Sequence, residues 1–163
     1  MSGNIWVRSW ENENMRKIII VLALLLCAAG CGSAPAETAA EAPAIEDVAA
    51  GLAQACGLQA EQSDLKPAEI AKLFSVDASL VQNAVYYSKD ADAVAVIETT
   101  DPKTVQKDIS VYADTLASQS ALYTPDQLSK IQKRMIDTEG SYVLFVITDD
   151  YDAAKKEIVE LFR

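Results

Sequence analysis

Apolar positions recur at helical spacing through Ile45, Val48, Leu52 and Cys56, which predicts an opening helix over Ile45 to Cys56. A shorter helix follows from near Pro67, carrying Ile70, Leu73 and Phe74, with Asp77 placed to cap one further turn. From Asn83 the pattern becomes extended. Asn83 to Ser88 is rich in Val and Tyr, Lys89-Asp90-Ala91-Asp92 supplies turn residues, and Ala93 to Glu98 returns as a second strand. Asp101 then stands as an N-cap with Pro102 at the first helical position, and Val105, Ile109, Tyr112 and Leu116 form the apolar stripe of a longer helix. Thr124, Pro125 and Gln127 have the spacing of a capping box at the start of a short helix. A second hairpin joins Arg134 to Thr138 with Ser141 to Thr148 through Glu139-Gly140. Val143 to Ile147 is apolar without alternation, which places that strand centrally in the sheet. Asp149 or Asp150 caps a last helix whose Ala154, Ile158 and Leu161 face inward.

These elements predict an α+β domain over residues 45–163. Two hairpins, each followed by a helix, form a four-stranded, mainly antiparallel sheet, the N-terminal helices pack on it, and the helices together cover one face. The segments AVIETTDPKTVQKDI and FVITDDYDAAKKEIV align as strand, capping aspartate and helix, with Asp101 against Asp150 and Ile109 against Ile158. Duplication and the shared logic of any hairpin-then-helix unit both account for that echo.

Upstream of the domain the pattern changes character. Arg16 and Lys17 precede an apolar run from Ile18 to Ala29, shorter than the ~20 residues a membrane-crossing helix requires. A basic flank, a short apolar core and small residues at Ala28, Ala29 and Gly30 read as an export signal, and Cys31 supplies a thiol for lipid attachment. This tetrad resembles the lipobox of bacterial lipoproteins, with alanine at Ala28 where leucine is usual. The large Leu26 makes Cys27 a poorer candidate. Met15 and Met1 are alternative starts, and residues 1–30 are read as an upstream extension and a signal peptide that is removed. Residues 31–44 are read as the lipidated cysteine and a disordered acidic tether, since GSAPAETAAEAP has no aliphatic core former.

The chain carries 24 acidic against 14 basic side chains, a formal charge of −10. Nucleic acid is bound through Lys and Arg neutralising phosphates, so this balance excludes it as a partner. It also leaves lipid, rather than surface charge, to hold the chain at a membrane. With Cys27 removed and Cys31 lipidated, Cys56 stands alone and no internal disulfide forms.

The complete absence of histidine excludes Ser-His-Asp and Cys-His devices and the common zinc sites, and leaves Cys56 with no activating base. Gly51, Gly57 and Gly140 are isolated, so no phosphate loop is present. Two carboxylate groups remain, Asp90 with Asp92, and Asp149 and Asp150 with Asp152; they read as a turn and a helix N-terminus rather than a calcium loop. No catalytic residue, cofactor or metal ligand is assigned. Tyr86 and Tyr87 must point to opposite sheet faces, one toward the core and one toward solvent, and with Tyr142 and Tyr151 they are candidates for a recognition surface.

The lipobox ending at Cys31, the acidic tether, AVYYSKDADAVAVIETTDP leading into a long helix, and the closing GSYVLFVITDDYDAAKKEIVELF together resemble small Gram-positive lipoproteins that contain a domain of unknown function. That resemblance covers roughly residues 45–163 and implies anchorage on the outer face of the cytoplasmic membrane; it brings no catalytic residues. The reading that follows is a lipid-anchored binding or protein-interaction module for an envelope protein or small ligand, with an uncovered apolar or tyrosine-bearing sheet face. A structural accessory of an envelope or transport complex is the alternative, and a hydrolase working with carboxylates alone ranks behind both.

Overall fold

The computed structural model describes residues 42–163. The signal segment with Ala28, Ala29, Gly30 and Cys31, and the tether as far as Glu41, lie outside the described residues. The order of elements is α1 (Ile45–Ala55), α2 (Pro67–Leu73), a 3-10 turn (Ala78–Leu80), β1 (Val81–Lys89), β2 (Asp92–Thr99), α3 (Pro102–Tyr123), α4 (Pro125–Gln132), β3 (Met135–Glu139), β4 (Tyr142–Ile147) and α5 (Tyr151–Leu161).

The strands form one antiparallel sheet in the order β1-β2-β4-β3, so β4 lies between β2 and β3 and is buried at all its residues. Unbroken apolarity placed it there correctly. Both hairpins close through two-residue loops whose first residue has a left-handed backbone, Asp90 at φ 56° and Gly140 at φ 59°. The second loop is therefore Gly140-Ser141, one residue beyond the expected Glu139-Gly140.

Helices cover both faces of the sheet, not one. On the first face Ala93, Ala95 and Ile97 of β2 and Val143, Phe145 and Ile147 of β4 pack with Ile70 and Phe74, with Val105, Ile109 and Ala113 of α3, and with Ile131 of α4. On the other, Val94, Val96, Leu144 and Val146 pack with Val48 and Leu52 of α1 and with Ala154 and Ile158 of α5. The physical reason is that the inner strands are apolar at consecutive positions. Successive side chains point to opposite faces, so such strands need a layer on each side. Among the described residues no apolar sheet face is left uncovered, which corrects the expected open recognition face. Tyr86 and Tyr87 do diverge, Tyr86 into the first core and Tyr87 toward the second, yet both are half-buried.

One local device turns each inner strand into its helix. Thr99 Oγ1 accepts the Asp101 N–H at 3.1 Å, and Asp101 Oδ1 accepts the Thr104 N–H at 3.2 Å. Thr148 Oγ1 accepts the Asp150 N–H at 3.2 Å, and Asp150 Oδ1 accepts the Ala153 N–H at 2.9 Å. Asp150, not Asp149, is thus the cap. The second unit has one residue fewer between strand and threonine: Ile97-Glu98-Thr99 against Ile147-Thr148. Because strand residues alternate in direction, Thr99 keeps the parity of Ile97 while Thr148 takes the opposite one. Thr148 accordingly reaches the α1 side, where its hydroxyl donates to the Cys56 carbonyl at 3.5 Å, and α5 follows it onto the face opposite α3.

The expected capping box at Thr124 does not form, because Thr124 serves two helices at once. Its N–H closes α3 on the Ser120 carbonyl at 2.9 Å, its carbonyl accepts the Gln127 N–H at 3.0 Å, and its side chain caps nothing. Pro125 occupies the first helical position as expected. At the chain's entry, the Tyr142 hydroxyl donates to the Pro43 carbonyl at 2.9 Å.

Candidate functional site

The first sheet face narrows to small residues at the β1–β2 turn. Ser88, Ala93 and Ile147 lie side by side across three strands, and the next row on the same face is Tyr86, Ala95 and Phe145. The helical layer therefore stands off the sheet here. The gap is a pocket of about 230 Å³, walled by Tyr112, Leu116 and Ser120 of α3 and by Thr124, Gln127 and Ile131 at the α3–α4 corner. Asp90, Ala91 and Asp92 of the turn form its lip.

Phe74, fully buried, supports the wall from beneath. Its ring meets Tyr112 at 4.9 Å, Phe145 at 5.3 Å and Tyr86 at 5.7 Å between centroids, each edge to face. This arrangement matches ring edges to ring faces and fixes both tyrosines. Neither the Tyr86 nor the Tyr112 hydroxyl has a hydrogen-bond partner among the described residues, whereas Tyr87 and Tyr142 each have one and Tyr151 has two. Burial, and then the neighbouring Tyr86, push the Tyr112 phenol above its ordinary value, so it is a protonated donor and acceptor at neutral pH.

Beside the lip, Lys130 of α4 gathers two carboxylates from the separate acidic groups. Its Nζ lies 2.6 Å from Asp149 Oδ2 and 2.8 Å from Asp92 Oδ1. Hydrogen bonds to Asp149 and then Asp92 raise its pKa further. The Tyr151 hydroxyl donates to the Lys130 carbonyl at 2.9 Å and accepts the Thr148 N–H at 3.4 Å, tying α4 to the start of α5. Asp92 and Asp149 are thus drawn together, while Asp150 is spent on its cap and Asp152 lies in the first turn of α5. Asp90 has no hydrogen-bond or ion-pair partner among the described residues.

Cys56 lies at the C-terminal cap of α1, half-buried against the second core. Burial pushes its thiol up, against the opposing hydrogen bond with Thr148, so it remains a thiol at neutral pH. Among the described residues no group of three or more His, Cys, Asp or Glu side chains is placed to hold a metal ion. A second hollow, about 400 Å³, lies between α1 and Tyr87, but among the described residues no charged side chain lines it and the Tyr87 hydroxyl is 3.5 Å from Gln62 Oε1.

Sequence reasoning singled out Tyr86, Asp90 and Asp92 and missed Tyr112, Ser120, Gln127 and Lys130. Tyr112 was read only as part of the core stripe of α3. The missed signal was Ala and Ser recurring on one face of the hairpin, which leaves a layer unfilled. In comparison with known proteins, the family described as a domain of unknown function (DUF4358) matches residues 54–148, more than half of the chain. That span holds all the pocket-lining residues named above and Lys130. No curated protein and no solved structure matches the chain.

Proposed function

The chain belongs to the DUF4358 family, and we propose that it is a binding module, held on the outer face of the cytoplasmic membrane by lipid on Cys31, whose receptor site is the pocket at the β1–β2 turn. The observation that carries this reading is the pair of half-buried tyrosines, Tyr86 and Tyr112, whose hydroxyls stay open to solvent without a protein partner, set in a pocket that also exposes carboxylate, hydroxyl and amide groups. Convergent polar groups on an apolar, concave wall are what orients a bound guest, and hydroxyls engaged only by water are free to exchange that water for it. The pocket's small size limits that guest to a small molecule or a single side-chain head.

Anchorage rests on the sequence from Arg16 to Cys31. No described helix is long and apolar enough to cross a membrane. A hydrolase acting through carboxylates alone finds less support here, because Asp92 is engaged by Lys130 and Asp90 lies at the open lip.

Two measurements test the two halves of the proposal. Expressed in bacteria fed an alkyne-bearing fatty acid, the wild-type chain takes up label and sediments with membranes, and Cys31→Ala does neither; equal labelling of the variant overturns the anchor. In a thermal-shift screen of small polar molecules against the full-length chain, hits that vanish in Ser88→Phe, which fills the pocket, support the receptor. Hits unaffected by that substitution, or no hits, overturn it.

A further inference from the structure

We propose that the pocket selects a small primary ammonium group, as a free amine or as the head of a lysine side chain. This inference rests on the receptor reading above and adds the chemical class of the guest.

The argument begins with charge. Among the described residues, the only ionisable side chains lining the pocket besides its tyrosines are Asp90 and Asp92, and no Lys or Arg lines it. Lys130 bonds Asp92 through Oδ1, which leaves Oδ2 for another donor, and Lys89, next to Asp90 in the chain, lines the neighbouring hollow and not this pocket. Asp90 has no cation or donor of its own among the described residues, and its left-handed backbone at φ 56° holds it at the first position of the turn that forms the lip. An anion entering here meets two carboxylates, and a neutral guest covers Asp90 without compensating its charge, which is costly. An ammonium group compensates it.

Geometry adds a second reason. A primary ammonium has three N–H donors and no acceptor, and the pocket offers carboxylate oxygens at the lip and the Tyr86 and Tyr112 hydroxyl oxygens within. Aromatic rings line the interior through Tyr86, Tyr112 and Phe145, and ring faces attract cations. Leu116, Ile131 and Ile147 give an alkyl stem an apolar wall. The chain's net charge of −10 raises the local concentration of cations around it.

The test is calorimetric titration of the full-length chain in detergent with three probes of matched shape: n-butylammonium, n-butanol and butyrate. The expected result is one site for butylammonium, bound about tenfold or more tightly than butanol, with butyrate silent. Asp90→Asn weakens butylammonium about tenfold, while Asp152→Asn, the same charge change on α5, leaves it within twofold. Nα-acetyl-lysinamide separates the sources: tighter binding than butylammonium assigns the site to a lysine head, weaker binding to a free amine. Butanol binding as well as butylammonium, with loss in Tyr112→Phe, overturns the ammonium assignment and leaves the receptor standing. Preference for butyrate, equal effects of Asp90→Asn and Asp152→Asn, or no heat from any probe also overturns the assignment; in the last case the thermal-shift screen still decides the receptor.

Discussion

Replacing Phe74 by alanine isolates the ring cluster that both closes the first core and holds the pocket wall. The side chain is fully buried and meets three other rings edge to face, at 4.9, 5.3 and 5.7 Å. Removing a buried phenylalanine costs about 3–5 kcal/mol, transfer and cavity together. Each aromatic pair adds roughly 0.5–1.5 kcal/mol beyond its area, so the loss should fall near the middle or upper end, at about 4 kcal/mol. That is a large part of the 5–15 kcal/mol by which domains of this size are stable. Urea denaturation of the full-length chain, followed by far-ultraviolet circular dichroism, reads it as a lower midpoint at unchanged slope. Leu73→Ala, the preceding residue at the end of α2 and 38% exposed, is the comparison and should cost no more than about 1 kcal/mol. In a double-mutant cycle, Phe74→Leu and Tyr112→Leu should couple by about 0.5–1.5 kcal/mol. A loss below about 2 kcal/mol for Phe74→Ala, or equal losses at 73 and 74, refutes the placement of this ring at the centre of the core.

Two further outcomes follow from the electrostatics. Lys130→Met should cost about 1 kcal/mol, because Lys130 and Asp92 are only partly exposed while Asp149 is largely in solvent; thermal unfolding should show that difference shrinking as salt is added. Stability should be flat between about pH 6 and 8, since there is no histidine to titrate, and should begin to fall above about pH 8.5, where the thiol of Cys56 ionises in the unfolded chain. The folded state raises the pKa of Cys56, Lys130, Tyr112, Tyr142 and Tyr151, so their contribution is complete below the ordinary values and is lost as pH climbs through the folded ones. At the acid end Asp77 and Asp101, lowered by hydrogen bonds from Ser79 and Thr104, contribute above the ordinary carboxylate value and lose it as pH falls through their lower folded values. Urea midpoints across pH check both limbs, and a transition centred near pH 6.5 contradicts the assignment.

The fold was legible wherever a local rule had no competitor. The Asp101-Pro102 start of α3, the central place of β4 and the glycine turn at Gly140 all follow from chemistry within a few residues. Two readings failed for non-local reasons. Thr124 has the residues of a capping box, but its backbone is already committed to ending α3, which the spacing alone does not reveal. The two-sided burial of the sheet was present in Val143 to Ile147, yet it was read for one strand and not carried across to Ala93 to Ile97, its neighbour in the sheet. The pocket was the least legible part. It depends on Ser88 and Ala93 coming beside one another and on α3 passing above them, and small residues in a strand do not announce what they leave empty. Lys130 was overlooked because its carboxylate partners are 38 residues back and 19 ahead in the chain.

The Pro43 carbonyl is fastened to Tyr142, at the end of the sheet where β2 finishes, whereas the pocket opens at the turn where β2 begins. From Asp92 to Glu98, which pairs with Tyr142, the strand covers about 20 Å. The point where the chain enters the described domain and the mouth of the pocket thus lie at opposite poles of the sheet. Tyr142 and α1 pack on the face that does not line the pocket, so the joint at Pro43 and the mouth at Asp90 share no side chain.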